Sequence, residues 1–361
     1  MHVKRRRGSE GEHASQNSTA AEQTWYAAPL VAAAKKGRLR RAPRTTSIAE
    51  PALFGHLAAC ERILIAGAGG GFDVYAGLPL AHARWRRGQT VHLANLSFSN
   101  LALSDATRLG PSLYEVTAAT EGPDAYFPER ALARFLAQER LPATVHAFPR
   151  VGVRQLVVAY QTLVARLELD AIVLVDGGTD LLMFGDEAGL GTPVEDMTSL
   201  AAVGQLPIAH RHVACIGFGI DAYHGVCHSH FLENVAALER DGAYHGTFSV
   251  SRHTEEGALY LRAVAHAEQA HDRPASIVNG SIAAALRGDF GDVQVSPRTA
   301  ESELYVNPLM GLYFTFDLMG VCNRNQYLRQ LVDAPSVVHV EAIISDHHQH
   351  APRRPHRLIP H

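Results

Sequence analysis

The segment "AIVLVDGG", Ala171 to Gly178, constrains the fold more than any other part of the chain. It is apolar at every position before Asp176, so as a strand it must be covered on both faces, as the central strand of a parallel α/β sheet is. Around it, short β-branched runs alternate with longer helical patterns, the rhythm of βαβ units. Strands are expected at Arg62–Ala66, Thr90–Ala94, Thr144–Ala147, Ala171–Val175, His212–Ile216, Ser276–Val278 and Val337–Val340. Helices are expected at Pro79–Arg87, Pro128–Glu139, Val153–Leu167, Ser229–Arg240, Glu255–Ala270 and Asn325–Leu331. The fold class is therefore α/β and Rossmann-like: a mostly parallel sheet with helices on both faces and long loops at the strand C-terminal ends. Leu309, Leu312, Tyr313 and Phe316 fall at helical spacing and read as packing.

Charge divides the chain unevenly. Residues 1–45 hold ten Lys/Arg against three acids, which leaves 23 basic and 33 acidic residues for the rest. Residues 1–45 read as a disordered basic arm, 46–346 as a single large α/β domain, and 347–361, rich in His, Arg and Pro, as a disordered tail. An acidic body argues against specific nucleic-acid binding. No apolar run reaches the ~18 residues of a membrane span. The four cysteines form no CxxC pair, which speaks against disulfides and cysteine-built zinc sites and makes the cytoplasm the expected compartment. Cys227, beside histidines, reads as an inert buried thiol rather than a nucleophile. A small-molecule ligand is the expected partner, and a homo-oligomer is compatible with this composition.

Three stretches carry chemistry. In "GAGGGFD" the glycines Gly67, Gly69, Gly70 and Gly71 suggest a phosphate loop, but Phe72 stands where the dinucleotide fingerprint needs its third glycine. The next strand ends in Asn95, Leu96 and Ser97, where an NAD site needs an acid for the ribose, so NAD is disfavoured. No GK[ST] follows either, and any phosphate here must be held by backbone N–H groups. Pro79 fits best at a helix start near Leu78, which makes "GGGFDVYAG" a loop projecting Asp73 toward the strand edge.

The second stretch, "DGGTDLLMFGDEAGLGTPVEDM", gathers Asp176, Asp180, Asp186 and Glu187 at the end of the central strand. Unpaired buried carboxylates are costly, so the cluster asks for a cation, and Mg²⁺ with its preference for oxygen ligands is the natural one. Gly177 and Gly178 let a ligand approach the backbone, while Glu195 and Asp196, just after Pro193, read as helix-start acids. The third stretch, "DAYHGVCHSHFLEN", offers Asp221, His224, His228 and His230 as a transition-metal set, or His224 and His228 as proton carriers. Asn279, in "SIVNGS", is expected to end a strand facing the same edge.

Together "GAGGGFDVYAGLPLA", "DGGTDLLMFGDEAGLGTPVEDMTSLAA" and "GFGIDAYHGVCHSHFLENV" resemble the uncharacterised family catalogued as domain of unknown function 1152, from about Arg62 to Asp346. The resemblance implies a stand-alone α/β protein of prokaryotes whose three stretches form one unit, and it supplies no reaction. "LLMF", Leu181 to Phe184, is more apolar than that pattern suggests beside an acidic loop.

The leading expectation is an enzyme, a hydrolase or transferase, that binds a nucleotide or phosphorylated substrate at the strand C-terminal edge. In it the glycine loop holds phosphate, Asp176 and Asp180 bind Mg²⁺ or sugar hydroxyls, and His224 or His228 moves a proton. The alternatives are a zinc or iron hydrolase built on the histidine stretch and a non-catalytic ligand sensor whose basic arm contacts a partner.

Overall fold

The computed structural model describes residues 47–359 apart from 124, 271–275 and 296–303, so the basic arm lies outside the described residues. The strands are β1 (Arg62–Gly67), β2 (Thr90–Ser97), β3 (Thr107–Gly110), β4 (Leu113–Val116), β5 (Val145–Pro149), β6 (Ala171–Asp176), β7 (His210–Cys215), β8 (Tyr244–Ser249), β9 (Gly291–Asp292), β10 (Tyr305–Val306) and β11 (Leu312–Asp317). Nine of them form one sheet in the order β3-β4-β5-β2-β1-β6-β7-β11-β8, while β9 and β10 pair separately. The middle of the sheet, β5-β2-β1-β6-β7, is parallel. Antiparallel strands finish both edges.

β6 lies between β1 and β7, and all six of its residues are buried. Their alternation explains why. Ile63, Ile65, Ala171, Val173, Val175 and Ala214 join one core with Leu80, Tyr260 and Ala263 of the helices Leu78–Trp85 and Glu255–Ala270. Leu64, Ile172, Leu174 and Val213, one residue out of phase, are equally buried on the other side. There the helix Pro193–Gly204 packs on Val153–Leu167, Leu318–Arg324 and Val337–His350.

The chain winds outward from β1 through β2 to β5, then returns to β6 and β7 on the other side. That reversal opens a crevice beyond the carboxyl ends of β1 and β6, where ligands gather in doubly wound sheets.

Several expected elements differ. Ser276–Val278 is not a strand: Ser276 caps the helix Ile277–Arg287, its hydroxyl accepting from the Asn279 amide at 3.1 Å. Val337–Val340 likewise opens the helix Val337–His350 behind the cap Ser336. In both, a serine cap outweighs the strand preference of the following β-branched residues. Asn325–Leu331 divides at Asn325, whose side chain accepts from the amides of Tyr327 and Leu328, leaving a short helix Leu328–Leu331. Tyr313 and Phe316 are buried as expected, but on strand β11 rather than a helix.

The helix start at Leu78 holds, although Asp73–Ala76 forms a helical turn of its own instead of a loop. The C-terminal segment is not an unattached tail. Its helix continues to His350, and Arg354 pairs with Asp186, Glu187 and Glu233. No helix among the described residues is long and apolar enough to cross a membrane.

Candidate functional site

The crevice at the switch point is a cleft of about 430 Å³ lined by the glycine loop, the ends of β6 and β7 and the start of the helix Pro193–Gly204. Its floor is carboxylate. Asp73, Asp176, Asp180, Asp196 and Asp221 all line it, with Glu195 and Arg150 ion-paired at the rim at 2.5 Å. Asp73, Asp176 and Asp196 each present a carboxylate oxygen within 4.8 Å of the others.

The glycines make room for these acids. A methyl group at Gly69 would come within 2.8 Å of Asp73 Oδ2 and 2.9 Å of Asp196 Oδ2. At Gly177 it would lie 2.9 Å from Asp73 Oδ1, and at Gly178 it would lie 2.8 Å from Asp221 Oδ2 and 3.1 Å from Asp176 Oδ1. Gly67 has Asn95 in the corresponding place. Gly70 and Gly71 take positive φ, at 84° and 60°, and the Gly71 amide is spent on the Leu96 carbonyl at 3.0 Å. Asp73 itself accepts from the Gly69 amide at 2.6 Å and from the Gly177 amide. Two amides that could have cradled a phosphate are therefore occupied by a side chain of the chain itself.

The other acids are served unequally. Asp221 accepts from the Thr179 amide at 2.5 Å, Asp180 from the Thr192 amide at 2.7 Å, and Asp176 from the Leu181 amide at 3.3 Å. Asp196 is 3% exposed, and its Oδ1 has no hydrogen-bond partner. Burial raises every one of these carboxyls above the usual range. Asp73 reaches about 7, and for Asp176 and Asp196 the charges of neighbouring acids add to the effect. Asp180 is moderated by its bonds to Thr192 and by nearby His224.

Not every residue singled out in the sequence meets here. His224 lines the cleft, but His228 packs edge-on against Phe218 and faces the C-terminal segment. His230 is buried on the helix His228–Arg240 near Arg354 and Glu187. The set Asp221, His224, His228 and His230 is therefore not assembled, because His228 and His230 in the first turn of that helix lie against Phe218 with the C-terminal segment and near Arg354, away from the cleft.

Asp186 and Glu187 also lie apart. Arg354 supplies the cation they call for, and Glu187 further accepts from the amides of Phe184 and Gly185 and from Asn234. Leu181, Leu182 and Met183 are buried and pack.

Asn95 and Ser97 do not reach the cleft. Both donate to Glu129, a fully buried carboxylate from the helix Pro128–Gln138 that fills the end of β2. Asn279 holds the loop from behind, donating to the Phe72 carbonyl at 3.1 Å and accepting from Tyr260 at 2.8 Å. Arg150, Phe98 and Tyr126 line the mouth and carried no signal in the sequence. Asp196 had one: it does sit in the first turn of its helix, yet its carboxylate bonds to no helix amide.

Fold and cleft define a class, a doubly wound α/β protein with a carboxylate-floored pocket at its switch point. The chain belongs to the family described as "Protein of unknown function (DUF1152)", whose model matches residues 64–348. Neither a curated protein nor a solved structure matches it.

Proposed function

We propose that the protein is a divalent-cation-dependent enzyme acting on a phosphorylated small molecule, with a nucleotide as the leading candidate, at the carboxyl edge of β1 and β6. The observation that carries this reading is Asp196, a buried carboxylate with an unpartnered oxygen, set among Asp73 and Asp176. Hydrogen bonds serve the other acids; for Asp196 a hard cation supplies what the protein does not. Mg²⁺ suits an all-oxygen site that also meets substrate phosphate. Bound there, it supplies charge neutralisation and polarisation of a phosphoryl oxygen.

The chain's own groups have distinct tasks. Arg150 at the rim offers a guanidinium to a phosphate that displaces Glu195. His224, exposed and close to Asp180, is placed to exchange a proton with bulk water. Phe98, 45% exposed at the mouth, and Tyr126 provide an aromatic wall for a base or ring. Phosphate is met through the cation and Arg150, not through the glycine amides that Asp73 occupies.

Calorimetric titration with Mg²⁺ and Mn²⁺ tests the proposal, followed by a nucleotide panel in the presence of the cation. Binding should be measurable for the wild type and absent in Asp196→Asn and Asp176→Asn of unchanged fold. Equal cation binding in wild type and Asp196→Asn would refute it.

A further inference from the structure

A second cavity, of about 710 Å³, lies between the helices Leu78–Trp85 and Glu255–Ala270 and the edge strand β8, and it shares no lining residue with the acidic cleft. Its size is that of a small-molecule pocket. Phe54, Phe248 and Tyr313 give it aromatic walls. Ser249, Arg84, Arg86 and Arg87, with the acids Glu50 and Glu256, give it polar ones.

Arg84 is the unusual member. Its side chain is 3% exposed, its Nε has no hydrogen-bond partner, and its guanidinium lies 4.2 Å over the Phe54 ring. Of the acids around it, Glu255 pairs with Arg86 at 2.9 Å and Glu256 with His82 at 3.8 Å, while the exposed Glu50, which also lines the cavity, acts on Arg84 through its charge without an ion pair. Among the described residues Arg84 forms no ion pair. Burial and, next to it, the charge of Arg87 press its protonated form, opposed in part by the charge of Glu50, yet arginine does not give up its proton in proteins. A ring face compensates a buried guanidinium only partly, and breaking even with the lost hydration takes hydrogen-bond acceptors.

We infer that this cavity binds a small organic oxyanion, a phosphate- or carboxylate-bearing molecule with an apolar or aromatic body. The oxyanion pairs with Arg84, whose planar fork suits two parallel hydrogen bonds. Its body rests against Phe54, Phe248 and Tyr313, while Arg87, exposed at the mouth, steers it in. Helix-end geometry plays no part. The site rests on a buried cation without an ion-pair partner among the described residues and a cavity of matching size beside it, and it stands whether or not the acidic cleft takes a cation.

Phenyl phosphate, benzoate and inorganic phosphate, with benzyl alcohol as the uncharged control, are titrated by calorimetry into the full chain in EDTA. At least one aromatic oxyanion should bind, more tightly than both benzyl alcohol and inorganic phosphate, and the ranking of phenyl phosphate against benzoate identifies the head group. Arg84→Met should lose at least about tenfold in affinity, and Arg84→Lys several-fold, because an ammonium lacks the fork. Asp196→Asn should bind as the wild type does, which separates this site from the cation site. Without ligand, Arg84→Met should melt no lower than the wild type, since it removes an unpaired buried charge. Should it fail to fold, Arg84→Lys carries the test. No oxyanion binding at millimolar concentration, or affinities unaltered in the arginine variants, would overturn the inference.

Discussion

The Asp73 carboxylate accepts the Gly69 amide at 2.6 Å, and Gly177 is the residue that leaves space for its other oxygen. A glycine loop that resembles a phosphate cradle is thus closed on its own acid. Neither Gly69 nor Gly177 has a positive φ, so alanine at either position tests space alone. Gly69→Ala and Gly177→Ala should keep the fold and lose about tenfold or more in Mn²⁺ affinity, a change of ~1.4 kcal/mol or more. Calorimetry on the folded variants decides, and unchanged affinity would remove the carboxylates beside both glycines from the site.

Cation binding should depend steeply on pH. Asp73, Asp176, Asp196 and Asp221 hold their protons more tightly in the folded protein than in the unfolded chain, chiefly through burial. Their contribution to stability is therefore present at low pH and lost as pH rises, for Asp73 through about 7. A bound cation must displace these protons and restores stability where they have left. The rise in melting temperature with Mg²⁺ should accordingly be larger near pH 8 than near pH 6. Asp196→Asn should flatten the pH dependence and abolish the response to Mg²⁺. Thermal melts across both pH values would show it.

What the sequence disclosed and what it hid follow from locality. β1, β2, β5, β6 and β7 were legible because buried strands write continuous apolar runs. β3, β4 and β8 were not: they finish the sheet edges, and Tyr244–Ser249 has no fully buried residue. Ser276–Val278 and Val337–Val340 are too short to show a period, so a helix and a strand look alike there. In the site, Asp73 and Asp176 could be read from their places after glycine and after a strand. Asp186 and Glu187 looked the same as Asp176 because their partner, Arg354, is 168 residues from Asp186. Asp196 was hidden differently, in a helix turn where an acid already has a reason to be.

Arg354 ties the C-terminal segment to the body by pairing with Asp186 at 2.7 Å, Glu187 at 3.3 Å and Glu233 at 2.5 Å. Glu187 is fully buried, whereas the Arg354 side chain is 30% exposed. Arg354→Met should destabilise the protein by on the order of 2 kcal/mol, less than the about 3–5 kcal/mol of breaking a wholly buried pair. Cation affinity at the cleft should not change. Denaturant unfolding and calorimetry on the same preparation check both halves, and a large loss of cation binding would return Asp186 and Glu187 to the metal site.

Glu129 offers a probe behind the cleft, joined to its glycine loop through Asn95, which also donates to the Gly71 carbonyl at 2.7 Å. It is fully buried behind β2, its carboxylate accepting from Asn95 at 2.6 Å and Ser97 at 3.1 Å, and it forms no ion pair among the described residues. Burial raises its pKa to about 7 despite those bonds. Because the folded value lies above the ordinary one, its contribution to stability is full at low pH and lost as pH rises from the ordinary carboxyl range through about 7. Glutamine keeps the shape. Its carbonyl can accept from Asn95, and its amide can donate to the Ser97 hydroxyl, which turns to accept. Glu129→Gln should therefore equal the wild type near pH 4 and exceed it near pH 8 by about 3 kcal/mol. Urea unfolding at the two pH values measures the difference. A Glu129→Gln variant that is less stable than the wild type at both would mean that the carboxylate is charged and compensated in the fold.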